Sequence, residues 1–588
     1  MVDNIKKGGV DIYPEVSDKA ESSSFQEAHF VNYNNSNESK WQKFKDSFKR
    51  LEDDIDPNLS EAEKAEIRRY RNEGEKLNKS LKTRHMILIA IATGIGTGLL
   101  VGSGSSLNKG GPAGLIIGTV IVGSMLVNVM EAAGEMALTY GDLTGGFNAY
   151  TSFLVDESFA FAVSWNYCIQ WLCVMPLELV TASMTIKYWT TTINPDAFVA
   201  IFYVLIVVIN FAGSAGYGEA EFFFNSAKSL MLVGFIILSI ILSVGGAGDH
   251  HYYGAHYWHD PGAFANSFKG VCAVLINMAF ALGCTEANAF MSSEAKNPRR
   301  AIPSATKQVV YKVVFFFIVP LFLIGLLVPY NSPELLGSSG SKTHASPFVI
   351  AVSKVKVVPH IVNAVILLAV LSVGNSALFI ASRTLQSLAE QGFAPSWFNY
   401  IDRTGKPLRA LAVSSIIGLF SFIAAYDKQE TVFNWLLSIS GLSQIFTWTG
   451  ICLGHIRFRA AFKAQGYSTN ELGYKSKTGV WGSIYGVVIN FLILIAQFWI
   501  ALWPIGGDGK ANANSFFQNY LGAVVALVFY VAHKLWHRNW KLWIPADQID
   551  LRKGRKIFDA DVLAQEDMEE TQRIKNSPFY VRAYHFWC

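Results

Sequence analysis

The sequence predicts an all-α membrane protein that crosses the bilayer about twelve times. Three observations carry that expectation. From Met86 to Trp536 the chain is a succession of apolar runs of about 20 residues. That length spans a hydrocarbon core of about 30 Å at about 1.5 Å per helical residue. Hydrophobic residues make up 51% of the 588 residues and charged residues only 16%, a low share for a soluble chain of this size. The runs are also rich in Gly, Ser and Thr, which lets helices pack closely in lipid.

Residues 1–82 are polar and charged and are expected to be mostly disordered. Within them Trp41, Phe44, Phe48 and Leu51 share one helical face, ringed by Lys40, Lys43, Lys45, Lys49 and Arg50. That pattern predicts an amphipathic helix near 40–52, lying on membrane lipids or against the protein's own inner surface. The transmembrane domain is expected over 83–538. Its spans centre near Ala92, Gly123, Leu172, Leu205, Gly234, Phe280, Ile318, Leu367, Ile417, Ile445, Leu492 and Val525. Residues 539–588 form a second polar tail, with a short helix expected at Asp559–Lys575. It ends in aromatic residues and Cys588, a composition suited to a membrane interface. A terminal Cys is not a prenylation box, which leaves S-acylation or a packed free thiol.

Orientation follows from Lys and Arg, which are retained on the cytoplasmic side. Basic residues concentrate in alternate connections, at Lys296–Lys312, Arg383–Arg409 and Arg457–Lys477. An even number of spans then places both termini in the cytoplasm. No cleavable signal peptide precedes the first span, which is expected to direct insertion itself. The net charge of +4 reflects these loops and argues against a nucleic-acid partner. The six cysteines form no metal-ligand spacing or disulfide framework. No cofactor is expected. Nor is an enzyme, because the inner loops carry no nucleophile–base set or phosphate-binding loop.

The first span contains Ala92-Thr-Gly-Ile-Gly-Thr-Gly98. Each glycine costs a helix about 1 kcal/mol relative to Ala. Glycines two apart do not form the four-residue spacing of a packing face, so Thr93, Gly94, Ile95, Gly96, Thr97 and Gly98 predict an unwound stretch. Backbone unwinds at that depth only where it lines a cavity or is buried in protein. Its free N–H groups, at the start of a half-helix, suit a carboxylate. The sixth span has a comparable interruption, Phe280-Ala281-Leu282-Gly283-Cys284-Thr285-Glu286. Interruptions at matching places in two halves point to an inverted-repeat carrier, with spans one to five and six to ten as the repeats and two helices appended. Charges within spans are functional candidates. They are Glu131, Glu135, Glu178, Lys228 and Glu286. A buried Lys228 is suited to binding and releasing a proton; the alternative is a fixed cation bridging two spans. Glu178 follows Pro176 and is compatible with a structural role. For each Glu, a protonated, hydrogen-bonded group is as good a reading as a proton relay.

These residues resemble the amino acid–polyamine–organocation superfamily, and more closely the fungal plasma-membrane amino-acid permeases, the general amino-acid permeases among them. The resemblance rests on Ile91–Gly104, Gly134-Glu135, Gln170-Trp171 with Pro176-Leu-Glu178, Gly216-Tyr-Gly-Glu-Ala-Glu221, Lys228, Tyr257–Pro261, Leu371–Ser376, Ser382-Arg-Thr384 and the terminal Phe-Trp-Cys588. It implies a LeuT-type five-plus-five fold. The substrate carboxylate is then expected at Gly96, Thr97 and Gly98, and the α-ammonium at carbonyls of Gly94, Phe280 and Gly283, with Phe280 as an aromatic gate. Lys228 matches a lysine that relatives use near the first-span break, and Glu286 a carboxylate implicated in gating or proton movement. Cys588 matches a candidate palmitoylation site. Lys6, Lys7 and Lys19 are the kind of tail lysines that ubiquitin ligase machinery modifies. Three positions depart from the family pattern: Leu282 for an aromatic, Cys284 for Gly, and Glu131 for a small residue. A Glu131 facing the cavity would favour cationic substrates.

The expected function is import of L-amino acids with protons across the plasma membrane by alternating access, with broad specificity. Endoplasmic reticulum and endosomes are expected in transit. The alternatives are an amino-acid sensor with little transport, or a permease restricted to a narrow group such as cationic amino acids.

Overall fold

The computed structural model describes residues 88–555, apart from 90, 93, 141–142, 144–145, 191, 287–297, 336–345, 403–404 and 426–428, together with scattered positions from 565 to 582. The expected helix at 40–52, Thr93, the tail lysines and Cys588 lie outside the described residues.

The architecture is helical. Along the chain run α1 (Thr97–Leu100), α2 (Gly102–Thr139), α3 (Phe147–Leu154), α4 (Glu157–Ile186), α5 (Pro195–Phe211), α6 (Gly213–Ser243) and α7 (Ser267–Leu282). They are followed by α8 (Pro298–Tyr311), α9 (Val319–Leu327), α10 (Pro347–Ala351), α11 (Val358–Glu390), α12 (Leu408–Gly418), α13 (Gln429–Ala464), α14 (Gly479–Leu502) and α15 (Ala513–His537). A wider π-helical stretch, Lys312–Ile318, joins α8 to α9. Among the described residues, eight helices are long and apolar enough to cross a membrane, and three more apolar helices are shorter.

Local sequence explains several boundaries. Asp156 caps α4 by accepting the Phe159 N–H at 2.9 Å, and Asn194 caps α5 with Pro195 in its first turn. Such side chains satisfy N–H groups that the helix leaves unpaired. α2 is two helices in one run. Gly111 takes φ +71°, open to glycine, and Pro112 follows it, so the first two predicted spans meet there without a loop.

Packing turns the soluble-protein pattern inside out. On α6 the apolar Phe223, Leu230 and Ile237 recur every seven residues on the exposed face, while Glu221, Asn225 and Lys228 are buried. α14 likewise exposes Phe491, Leu492 and Ile495 and buries Asn490 and Gln497. This suits a lipid surround, where apolar side chains face outward and polar groups find partners within the protein. The most extensive pairings join α7 to α2, and α4 to both α11 and α13. α7 approaches the first span closely because Gly98 faces Ala281: a Cβ there would lie 2.5 Å from the Ala281 Cα. The segment Ile401–Lys406 belongs to a separate unit and closes on itself as a turn, with the Lys406 N–H donating to Asp402 Oδ1 at 2.8 Å.

Two cations expected in inner connections are instead buried within helices. Lys312 is 1% exposed and Arg383 4% exposed. Both stand at the end of a basic cluster in the sequence, and a charge count does not separate a loop cation from one in the adjoining turn of helix.

Candidate substrate site

The first span breaks where the glycines stand. Helix at Ile91–Ala92 stops, Gly94 takes φ +89°, Gly96 is extended, and helix resumes at Thr97. The resumed ladder begins with the Leu100 N–H donating to Gly96 O at 2.9 Å. The N–H groups of Thr97, Gly98 and Leu99 therefore precede the ladder, as at any helix start. Thr97 Oγ1 donates a short hydrogen bond to Glu178 of α4, and both residues are buried.

The sixth span breaks as well. α7 ends at Leu282, Gly283 leaves the helical range at φ −56° and ψ −178°, and the Gly283 N–H turns back to Phe280 O at 3.1 Å. Cys284 then sits at φ +65°, where side chains are uncommon. A glycine fits that conformation without strain, which gives a physical reason for the family pattern that Cys284 departs from.

The two breaks meet. Gly94, Gly96, Thr97 and Gly98 line a narrow cavity together with Phe280, Gly283 and Cys284. α4 adds Gln170, Trp171, Val174 and Glu178, and α11 adds Val373. The empty space along this wall, about 320 Å³, includes space open to solvent, so the site is a narrow cleft and not a closed chamber. Four sequence-derived candidates are not among the lining residues. Ile95 and Leu282 are buried in the apolar core, Ala281 packs against Gly98, and the Thr285 hydroxyl donates to Leu282 O at 2.7 Å.

The charged candidates separate into groups. Lys228 Nζ donates to Ala92 O at 3.3 Å, at the end of the helix before the first break, and to Ser372 Oγ at 2.9 Å. Glu286 accepts from Trp448 Nε1 at 3.2 Å. Glu131 and Glu135 belong to neither break. Glu131 accepts from Tyr474 Oη at 2.8 Å and from the Lys477 N–H at 2.9 Å. Glu135 accepts from Arg459 Nη2 at 2.6 Å and the Ser476 N–H at 2.7 Å, with His455 Nε2 3.2 Å away. The two carboxylates thus hold α2 to α13 and to the connection that leads into α14.

Sequence reasoning passed over two groups. Lys312 Nζ donates to Thr285 Oγ1 at 2.9 Å and lies 3.2 Å from where a Cβ on Gly94 would stand, so this cation is bonded at the sixth-span break and adjoins the first. Glu221 accepts from Ser372 Oγ and Asn375 Nδ2. Both stand in segments the sequence already marked, Lys312 at the end of the basic run Lys296–Lys312 and Glu221 in the motif Gly216–Glu221, but neither segment reveals their partners.

A helical membrane protein with two broken spans around one cavity has the form of a small-solute carrier. The comparisons agree with that class. The amino acid permease family model matches residues 85–546. The general amino acid permease AGP1 of Saccharomyces cerevisiae is 56% identical over 524 residues, covering 88% of this chain and 83% of that protein. The high-affinity glutamine permease of the same yeast is 56% identical over 521 residues, covering 87% and 79%. Its valine amino-acid permease is 48% identical over 556 residues, covering 93% and 91%. The chain belongs to the amino acid permease family and is a multi-pass membrane protein.

Proposed function

We propose that the protein imports L-amino acids together with protons across the plasma membrane. One observation carries the reading. The unwound first span presents a helix start, with N–H groups ahead of the hydrogen-bond ladder, to the same cavity as the Phe280–Gly283 turn. N–H groups at a helix start suit a carboxylate, and carbonyls freed by unwinding suit an ammonium. An α-amino acid carries both groups on one carbon. Relatives named as general, glutamine and valine permeases support the substrate class.

In this reading twelve spans form two inverted repeats of five plus two C-terminal helices. The repeats rock around the fixed site, with both termini in the cytoplasm. Lys228 belongs to the proton path. Specificity is broad: Trp171, Val174, Phe280 and Val373 give the cavity an apolar wall, and Glu131, held by Tyr474 and Lys477, adds no charge to it. Cys588 is the proposed acylation site, and Lys6, Lys7 and Lys19 are the proposed targets of ubiquitin ligases.

The test is uptake in cells lacking their own amino-acid permeases, with a panel of unlabelled amino acids as competitors. Neutral L-amino acids of several sizes are expected to compete, and acidification of the medium to raise the rate. Uptake inhibited only by cationic amino acids would overturn broad specificity. Binding without flux would replace transport by sensing.

A further inference from the structure

Glu221 and Lys228 stand seven residues apart on α6, so two helical turns place them on one face. Both are buried, Glu221 at 1% exposure and Lys228 at 0%. α11 inserts Ser372 between them. Lys228 Nζ donates to Ser372 Oγ at 2.9 Å, and Ser372 Oγ donates to Glu221 Oε2 at 2.7 Å. The other carboxylate oxygen accepts from Asn375 Nδ2 at 2.9 Å. Asn375 is oriented in turn by Asn210 of α5, whose Nδ2 donates to Asn375 Oδ1 at 2.9 Å. The chain from Glu221 to Lys228 therefore ends at the first-span break, on Ala92 O.

Other titratable groups face this pair, and all but Cys284 have partners of their own. From α4 comes Glu178, which takes the Thr97 hydroxyl. From the π-helical stretch comes Lys312, on Thr285. From the sixth-span break comes Cys284. α11 adds Arg383, stacked 3.2 Å from the centre of the Phe379 ring and bonded to Ser214. On α6 itself Tyr217 meets Ser376 at 3.0 Å. α5 and α9 contribute no charge here: Asn210 is neutral and α9 is apolar.

We propose that Glu221 is the acidic partner of Lys228 in proton coupling, with Ser372 as the relay between them. The proposal rests on the proton-symport reading above. In the step, a proton leaves Lys228 Nζ for Ser372 Oγ while the Ser372 hydroxyl proton passes to Glu221 Oε2. Ammonium and carboxylate become amine and carboxylic acid. Only protons move, and the net charge of the pair is unchanged. Two opposite charges buried this deeply are costly, so the neutral form is accessible in such surroundings. The amine also holds Ala92 O less strongly than the ammonium does, which ties the proton's position to the first-span break.

Ser372 and Glu221 do not line the cavity, so their loss separates coupling from substrate handling. The experiment uses the full chain in proteoliposomes, with labelled amino acid. One measurement is accumulation driven by an imposed inward proton gradient; the other is exchange of labelled for unlabelled substrate with no gradient. For Glu221→Gln, the rate of gradient-driven accumulation is expected to fall by about a hundredfold or more, the scale of losing a positioned proton-transfer group, and exchange by less than about threefold. Ser372→Ala is expected to behave alike, and Ser372→Thr, which restores the hydroxyl, to recover accumulation. If Glu221→Gln does not fold, the contrast between Ser372→Ala and Ser372→Thr decides. Accumulation by Glu221→Gln or Ser372→Ala that matches the unaltered protein would overturn the proposal. If the unaltered protein exchanges substrate but does not respond to the gradient, the symport reading fails first and this proposal falls with it.

Discussion

Cys284 holds φ +65° beside the cavity. A side chain in the left-handed region costs roughly 1–2 kcal/mol, and glycine avoids that cost. Glycine also raises the entropy of the unfolded chain, which offsets part of the gain. Cys284→Gly is therefore expected to be neutral to mildly stabilising in thermal unfolding of the purified protein. It is also expected to widen the cavity, shifting competition towards larger side chains. Gly94 gives the opposite case. At φ +89°, with the Gly283 carbonyl oxygen 2.6 Å from any added Cβ, Gly94→Ala is expected to abolish uptake even where protein still reaches the membrane. Both residues were singled out from the sequence, but for different reasons. The glycine run announces its own break through composition. The strain at Cys284 has no composition signal and becomes visible only in the backbone angle.

At the scale of elements, each predicted span centre depended on an apolar run, and eight helices among the described residues keep that signal because their outward faces are mostly apolar, as on α6 and α14. Buried polar residues are harder to read. Glu221 lies at the polar-looking start of α6, and Lys312 follows Lys307 and Tyr311 after a basic connection. Their partners do not adjoin them in sequence: Ser372 stands 151 positions after Glu221, and Thr285 stands 27 positions before Lys312. Lys312→Met removes the donor to Thr285 beneath both breaks. It is expected to reduce uptake more than surface expression, measured as uptake per molecule at the membrane. Gly98→Val places branched carbons where the Ala281 backbone already stands, 2.5 Å from an added Cβ. Overpacking of this kind costs typically about 1–3 kcal/mol, so lower thermal stability and loss of uptake are both expected.

Across the whole molecule, α2 is tied to α13 and the α13–α14 connection at a place apart from the cavity. Burial and the neighbouring Glu131 carboxylate push the Tyr474 hydroxyl well above its ordinary range, so Tyr474 remains a donor at any physiological pH. Glu135 is the hub, shared by Arg459, His455 and Ser476. Glu135→Leu would strand a largely buried Arg459, and removing one partner of a buried ion pair costs about 3–5 kcal/mol. A lower unfolding temperature is expected, with loss of transport following from loss of fold. The sequence marked Glu131 and Glu135 as intramembrane charges without locating their partners, which lie more than 300 positions away.

The central claim is that two broken spans enclose an amino-acid site whose occupancy is coupled to protons. Its most direct measurement is labelled amino-acid uptake by the purified full chain in proteoliposomes under an inward proton gradient. The expected result is accumulation inside above the outside concentration, followed by release when the gradient is collapsed. Uptake that never exceeds equilibration, or that is the same with and without the gradient, would contradict it.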